Sequence, residues 1–249
     1  MKKLIGKLLP QKFWDFYQEK KHQEYRGMNP NDVFTKIYTE NKWGGEDGDF
    51  YSGDGTTNKN TDRYVSFLAG FVQQYNIRSI LDIGCGDFRV MKRVLEQCPD
   101  VEFIGADVVK PLVEKNNERY ASKKIRFVHI DAISEKLPIA DLCTIRQVLQ
   151  HLDNKQIKKI LDKTIKFRHL LVTEHVPEGK GIVPNKNKGI GPDVRLVYKS
   201  GVFIDQAPFN LKVDRVFSYK EDFIAPNGNI PANIITYHHQ NEKKYTEPF

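Results

Sequence analysis

The residues that most suggest chemistry form a turn rich in glycine and acids. An apolar run ends in DIGCGD at residues 82–87. Gly84 and Gly86 lack the side chains that would keep a ligand away from the backbone. Asp107 lies 21 residues after Gly86, and an acid about 20 residues after such a turn can accept hydrogen bonds from both hydroxyls of a ribose. This spacing predicts a nucleoside site.

One position distinguishes two kinds of nucleoside ligand. A dinucleotide fingerprint, G-x-G-x-x-G, requires glycine at position 89, where this chain has Arg89. That glycine allows the close helix packing that a bound pyrophosphate needs. Asp82 and Asp87 suit a cationic ligand better than a diphosphate. S-adenosylmethionine, a nucleoside with a sulfonium and an ammonium group, fits both this acidic turn and Asp107.

The pattern around the turn indicates an α/β fold. Helices are predicted at 63–75, 89–97, from 111 and at 154–166, and strands at 79–83, 102–107, 125–130, 141–145 and 169–173. Short apolar strands that alternate with helices are typical of a parallel sheet covered on both faces. Two late strands, 213–219 and 232–238, are separated by EDFIAPNGNIP. Because no helical pattern lies between them, we predict that they pair antiparallel.

Four segments, in this order, resemble the cofactor motifs of the class I S-adenosylmethionine-dependent methyltransferases. They are LDIGCGDFRV (81–90), FIGADVV (103–109), HIDA (129–132) and ADLCTIRQVLQHL (140–152). The resemblance covers roughly residues 63–175, and both order and spacing match. It implies a Rossmann-like seven-stranded methyltransferase sheet, mostly parallel with an antiparallel last strand, that uses S-adenosylmethionine and releases S-adenosylhomocysteine.

The resemblance also implies individual cofactor contacts. The glycine turn would contact the methionine part, and Asp107 would bind the ribose. Asp131 would reach the adenine amino group, with Ala132 beside it. Arg146 and Gln147 would line the cleft. The predicted cofactor-binding residues are therefore Asp82, Gly84, Cys85, Gly86, Asp107, Val108, Asp131, Ala132, Arg146 and Gln147.

A narrower resemblance concerns segments that flank the core. The chain has IYTENKWGG (37–45), FYSGDGT (50–56), DVRLVY (193–198) and APFN (207–210). These are similar to methyltransferases of bacterial surface-polysaccharide gene clusters. The resemblance implies O-methylation of a carbohydrate-type acceptor, either a nucleotide sugar or a capsule or lipopolysaccharide component or a group attached to it.

Other functions remain open. The alternatives are a small-molecule or nucleic-acid methyltransferase on the same fold, and a non-catalytic protein that binds S-adenosylmethionine. The Asn/Asp-Pro-Pro-aromatic signature of DNA amino methylation is absent, because residues 146–149 read RQVL.

Two histidines are candidates for a general base, which would help a sugar hydroxyl to attack. His151 follows the fourth predicted strand, and His175 follows the fifth. His151 could instead pack beside the cofactor, and His175 could be a solvated loop residue. Both are predicted here as catalytic residues.

The predicted substrate-binding residues are Trp43, Tyr51, Glu174 and Arg195. The two aromatic side chains could close over a sugar or pack within the core. Arg195 could bind a phosphate or uronate on the acceptor. No metal site is predicted, because the acids that could approach the cleft, Asp153, Glu174 and Asp193, have no ligand spacing.

The predicted domain organisation has two parts. Residues 1–62 would form an N-terminal helix (1–25) and a lid-like loop (41–62) packed on the core. Residues 63–249 would form the methyltransferase domain. A substrate-side insertion at 174–211, which contains four prolines and five glycines, would contact the acceptor because such long irregular connections are usually functional.

Composition limits the partners and the location. The net charge of +7 comes from scattered lysines without a basic block interleaved with aromatics, so no nucleic-acid partner is expected. A small-molecule or glycan acceptor, which could be anionic, would suit this charge. We predict a cytoplasmic protein, because no stretch approaches the roughly 20 apolar residues of a membrane span. Peripheral membrane contact through the helix 1–25 is less favoured than packing on the core. The sequence does not predict an oligomeric state.

Overall fold

The computed structural model describes residues 23–46, 48–57, 61–225 and 228–241. The helix predicted for 1–25 therefore lies almost wholly outside the described residues. Its last three residues, Gln23–Tyr25, form a short 3-10 turn.

The described elements agree closely with the predicted ones in the core. The helices are α1 (Pro30–Thr39), α2 (Thr61–Gln74), α3 (Arg89–Gln97), α4 (Lys110–Tyr120) and α5 (Asn154–Thr164). The strands are β1 (Ser79–Ile83), β2 (Glu102–Asp107), β3 (Ile125–His129), β4 (Leu142–Arg146), β5 (His169–Pro177), β6 (Asp214–Lys220), β7 (Phe223–Ala225), β8 (Gly228–Ile230) and β9 (Ala232–Gln240).

Seven of these strands form one sheet in the order β3-β2-β1-β4-β5-β9-β6. The pairs among β1 to β5 are parallel, and β9 runs antiparallel to both β5 and β6. The strand order reverses between β1 and β4, and ligands of open α/β sheets bind beyond the carboxyl ends of the strands at such a point. The predicted Rossmann-like sheet with one antiparallel strand is confirmed.

Alternate strand residues point to opposite faces of the sheet and build two cores. Leu81 and Ile83 of β1 belong to a core that includes buried residues of α1 and α5. Ile80 belongs to the other core, which includes buried residues of α2 and α3. Because α1 buries Val33 and Ile37 on the first face, the described residues 30–39 of the N-terminal segment are packed on the sheet.

The structure differs from the sequence predictions around β5. This strand continues to Pro177, since β9 pairs with all nine of its residues. The residues 174–177 are therefore strand, and the irregular connection begins at residue 178. The β7–β8 hairpin also forms within the segment EDFIAPNGNIP, for which no strand was predicted. No helix among the described residues is long and apolar enough to cross a membrane.

Candidate functional site

A cavity of about 690 Å³ opens beyond the carboxyl ends of the central strands. Its cofactor end is lined by the glycine turn after β1 and by the residues that follow β2 and β3. Its other end is lined by the turn after β4, by His175 of β5, by parts of residues 30–56 and 192–197, and by the β7–β8 hairpin. Such a volume lies within the range of small-molecule sites.

The glycine turn is required by the packing of the protein itself. Gly84 and Gly86 have φ angles of +69° and +55°, which side-chain-bearing residues rarely adopt. A Cβ atom on Gly84 would overlap the side chain of Val148, and one on Gly86 would meet Ser52. The same turn lines the cavity, so a ligand there could lie close to the backbone.

Asp107 ends β2 with its side chain in a fixed position. Its Oδ2 accepts the Gly86 N–H at 3.1 Å, and its Oδ1 accepts the Val109 N–H at 3.0 Å. Burial raises the pKa of the Asp107 carboxyl above its usual value, and these N–H groups partly oppose that rise. The carboxylate is thus held where the predicted ribose would lie.

A second buried carboxylate lines the same end of the cavity. Asp82 accepts a 2.6 Å hydrogen bond from the Thr144 hydroxyl. Burial raises the pKa of Asp82 to about 7. A cation bound nearby would therefore favour its ionised form. Burial also raises the pKa of the Cys85 thiol, so this residue is a packed thiol and not a nucleophile.

Asp87 has a different role from the one its sequence position suggested. It accepts the Ser52 N–H at 3.1 Å, and its own N–H donates to Ser52 Oγ at 2.9 Å. The Tyr38 hydroxyl is 2.9 Å from the same Ser52 Oγ. Asp87 therefore attaches the N-terminal loop above the glycine turn.

The remaining predicted cofactor residues also line the cavity. Val108 and Ala132 contribute wall, and the Asp131 carboxylate accepts hydrogen bonds from Ile133 N–H and Ser134 Oγ at 2.9 and 2.6 Å. The structure thus brings together all ten residues predicted to bind the cofactor, although their contacts with it stay a prediction.

The turn after β4 carries polar side chains into the middle of the cavity. Arg146 donates through Nη2 to the Gly55 carbonyl at 2.8 Å, and its guanidinium lies over the Tyr64 ring. Gln147 has a φ of +55° and donates its N–H to the Thr173 carbonyl. Gln150, which sequence reasoning missed, is 3% exposed and lines the same cavity.

The two candidate bases differ in their ability to accept a proton. His175 Nε2 lies 2.6 Å from the Glu221 carbonyl, which can only accept, so Nε2 carries the hydrogen and Nδ1 keeps its lone pair. Burial lowers the pKa of His175, which keeps the ring neutral near pH 7. Burial lowers the pKa of His151 further, to about 3. His151 packs 5.0 Å from the Trp43 ring and is the weaker base.

The two aromatic residues predicted to contact the acceptor, Trp43 and Tyr51, occupy different positions relative to the cavity. Trp43 lines the cavity, and its Nε1 donates to the Pro192 carbonyl at 3.1 Å, which joins the N-terminal loop to the long connection after β5. Tyr51 is not part of the cavity lining. Its hydroxyl donates to Asp54, and its ring lies near the Arg89 guanidinium.

The structure corrects the expectation that Glu174 and Arg195 bind the acceptor. Both side chains are fully buried and lie outside the cavity lining. Glu174 Oε1 accepts the Leu149 N–H at 3.0 Å. Arg195 donates to the carbonyls of Leu152 and Lys186 at 2.7 and 2.6 Å. Glu174 and Arg195 thus hold the turn after β4 through hydrogen bonds to its backbone. The sequence does not indicate this role, because the two residues reach the turn only in the folded chain.

The part of the chain that the structure describes holds no group of three or more His, Cys, Asp or Glu side chains suited to a metal ion. Asp153 instead accepts the Gln156 N–H in the capping box of α5.

Sequence reasoning also missed four residues on or beside β7, which line the acceptor end: Glu221, Asp222, Phe223 and Ile224. No motif marked them, because pairing with β8 brings them there.

Comparisons with known sequences identify the central segment. Residues 80–167 match the family model described as a methyltransferase domain. An uncharacterized methyltransferase of Mycobacterium tuberculosis is 30% identical over 77 residues, which are 30% of this chain and 38% of that protein. A protein of Mycobacterium bovis with the same description matches equally. The match thus spans less than half the length of these relatives.

Solved structures share the fold at low sequence identity. The N-methyltransferase NodS of Bradyrhizobium japonicum, in complex with S-adenosylhomocysteine, has a TM-score of 0.56 and 11% identity, covering 84% of this chain and 99% of its own. The 1,6-didemethyltoxoflavin-N1-methyltransferase of Burkholderia thailandensis, also with S-adenosylhomocysteine, has a TM-score of 0.51 and 16% identity, covering 85% and 87%. The predicted class I methyltransferase fold is confirmed.

Proposed function

We propose that this protein, in which residues 80–167 form a domain of the S-adenosylmethionine-dependent methyltransferase type, methylates a hydroxyl group of a carbohydrate-type acceptor. The acceptor would be a nucleotide sugar, or a capsule or lipopolysaccharide component or a group attached to it. The observation that carries the proposal is one continuous cavity. One end is lined by the residues predicted to bind the cofactor, and the other by His175 and by segments outside the core.

The residues at the cofactor end fit S-adenosylmethionine. Asp107 presents a fixed carboxylate to ribose hydroxyls, and the glycine turn leaves room beside the backbone. Asp82 offers a carboxyl whose ionised form a cation would favour. The cofactor, when bound, supplies a methyl group that its sulfonium already activates. The task of the protein is then largely to position the acceptor.

His175 is the residue best suited to remove a proton from the acceptor. As the acceptor oxygen forms its bond to the methyl carbon, the carbon–sulfur bond breaks and its electron pair stays on sulfur. The hydroxyl proton would pass to Nδ1 of His175, because the Glu221 carbonyl occupies Nε2. The imidazole ring then carries the positive charge until Nδ1 releases the proton to solvent.

The flanking sequence favours a carbohydrate-type acceptor. The IYTENKWGG and FYSGDGT segments, which are similar to those of surface-polysaccharide methyltransferases, supply Trp43 and residues 52–56 to the cavity wall. A small amine acceptor is the second candidate. Asp193, Glu221 and Asp222 line the acceptor end, and acids there would attract a protonated amine.

The test is methyl transfer from S-adenosylmethionine labelled in its methyl group. The full chain is offered neutral glycosides, nucleotide sugars, capsule fragments, small amines and RNA. We expect label on a sugar oxygen, and less label with the Asp107→Asn variant when the cofactor is below saturation. Label on amines alone would support the second candidate, and binding of the cofactor without transfer to any acceptor would argue for a non-catalytic protein.

A further inference from the structure

We propose that Gln147 and Gln150 form a subsite for neighbouring hydroxyl groups of an uncharged acceptor. This inference rests on the proposed methyltransferase function and specifies its substrate class. It begins from polar atoms that the fold buries in the cavity wall without a partner among the described residues. Four such atoms are Arg146 Nε, Gln147 Nε2, Gln150 Oε1 and His151 Nδ1. Buried polar atoms are rarely left unpaired, so each requires an explanation.

The orientation of Gln150 is fixed by its own hydrogen bond. Its Nε2 donates to the Gln147 carbonyl at 3.2 Å, which leaves Oε1 as the unused atom. Only 3% of Gln150 is exposed, so protein surrounds this side chain on most sides. The amide therefore presents a buried acceptor beside the cavity.

Gln147, which the sequence predicted to bind the cofactor, is assigned here to the acceptor instead and offers the complementary group. Its backbone is held at a positive φ by the bond from its N–H to the Thr173 carbonyl at 2.7 Å. Its Nε2, an amide donor, is buried without a partner. Three residues apart, the two amides thus supply an unused donor and an unused acceptor to one cavity.

This combination selects a ligand group by its hydrogen-bonding chemistry. A phosphate or carboxylate accepts only, and would leave Gln150 Oε1 unpaired. An ammonium group donates only, and would leave the Gln147 Nε2 donor unpaired. A hydroxyl group both donates and accepts. Two hydroxyls on adjacent carbons, as in a sugar ring, satisfy both amides at once.

The charge of the cavity also disfavours an anionic acceptor. Eight residues of its described lining are Asp or Glu, and Arg146 is the one Lys or Arg among them. The Arg146 guanidinium is already engaged with the Gly55 carbonyl. Because acids outnumber Arg146 so strongly in this lining, an anion would meet more repulsion than one guanidinium offsets. The subsite therefore fits a neutral sugar and not a uronate or a diphosphate. Among the acceptors proposed above, it favours uncharged glycan components over nucleotide sugars.

The experiment compares three probes that differ in one substituent. Methyl glucoside, methyl glucuronoside and methyl glucosaminide are titrated into the full chain saturated with S-adenosylhomocysteine, and binding is followed by ligand-observed NMR. The variants Gln147→Met and Gln150→Met each remove one amide at similar length. Gln97→Met, at an exposed site at the end of α3, is the matched control.

We expect the neutral glucoside to bind best, and each of the two variants to weaken its binding about tenfold. The Gln97→Met control should leave it unchanged. Calorimetry should show that all variants bind S-adenosylhomocysteine as the wild type does. Failure of the wild type to bind S-adenosylhomocysteine would refute the proposed function as well.

Several results would overturn the subsite alone. If Gln150→Met or Gln147→Met weakens S-adenosylhomocysteine binding, the amides serve the cofactor. Preference for the glucuronoside or the glucosaminide would contradict the hydroxyl chemistry. Binding of none of the three probes by the cofactor-loaded wild type would also reject the subsite, while leaving the methyltransferase assignment standing.

Discussion

At the scale of single residues, the site depends on carboxylates whose surroundings differ. Asp107 is fixed by two backbone N–H groups, Asp82 is buried beside a hydroxyl, and Asp87 serves the protein by holding Ser52. The same residue type therefore performs three tasks within one turn and the strand beside it. The tasks of Asp107 and Asp82 each lead to a testable prediction.

Replacing Asp107 by asparagine should weaken S-adenosylmethionine binding by about 1.5–3 kcal/mol, the contribution of a hydrogen bond to a charged group. The asparagine oxygen can still accept one of the two backbone N–H groups, so the fold should persist. Calorimetry measures the affinity, and Asp100→Asn, at an exposed side chain before β2, is the control. Equal affinities in wild type and Asp107→Asn would contradict the ribose assignment.

The affinity for S-adenosylmethionine should rise as the pH increases through about 7, because burial places the pKa of Asp82 there. A cationic ligand binds the ionised carboxyl better, so protonation at lower pH opposes binding. Asp82→Asn should remove this part of the pH dependence. Glu174 and Lys188, with pKa values of about 8 and about 7, titrate outside the cavity lining and remain in both proteins. An unaltered pH profile in the variant would refute the assignment.

His175→Ala should lower the rate of methyl transfer by about 10²–10⁴-fold with little change in cofactor affinity, as expected for loss of a general base. His151→Ala should cost less, since burial holds the pKa of His151 at about 3 and makes it a poor proton acceptor. Single-turnover rates at saturating cofactor separate the two. A larger loss in His151→Ala than in His175→Ala would reverse the roles.

At the scale of elements, the turn after β4 is held by two buried ionisable side chains from other segments. Glu174 of β5 accepts the N–H of Leu149 at its start, and Arg195 of the long connection donates to the carbonyl of Leu152 at its end. Burial raises the pKa of Glu174 to about 8, and the Arg195 charge partly opposes the rise. The acceptor wall is thus coupled to folding of the connection.

Arg195→Met should destabilise the protein by about 3–5 kcal/mol, because it leaves two buried carbonyls and the Glu174 carboxyl without their cationic neighbour. The free energy of unfolding from urea titration measures this effect. Arg168→Met, at an exposed arginine before β5, should change it little. Equal stabilities in the two variants would mean that Arg195 does not support the turn.

The sequence predicted local elements better than long-range ones. The bounds of β1, β2 and α3 were predicted correctly, since glycine and proline signals and apolar runs mark them directly. The extension of β5 depends on pairing with β9, some 60 residues later. For the same reason the sequence predicts Glu174 and Arg195 as substrate ligands, because they are polar and near the cleft, whereas packing buries both.

At the scale of the whole molecule, charge is unevenly distributed. The chain carries a net charge of +7, yet eight acids line its described cavity. The acidic lining therefore gives a bound ligand an electrostatic environment opposite in sign to the net charge of the chain. Three segments outside the central sheet also meet at this cleft: the N-terminal loop, the connection after β5 and the β7–β8 hairpin.

The most direct test of the account is a crystal structure of the full chain with S-adenosylhomocysteine. We predict that the ligand lies in the cavity beyond β1, β2 and β4, with its ribose hydroxyls on the Asp107 carboxylate and its adenine toward Asp131. Its sulfur should face the end of the cavity that His175 and Gln150 line. A ligand bound elsewhere, as in the surface groove between Gly48 and α4, or one that makes no contact with Asp107, would contradict the account.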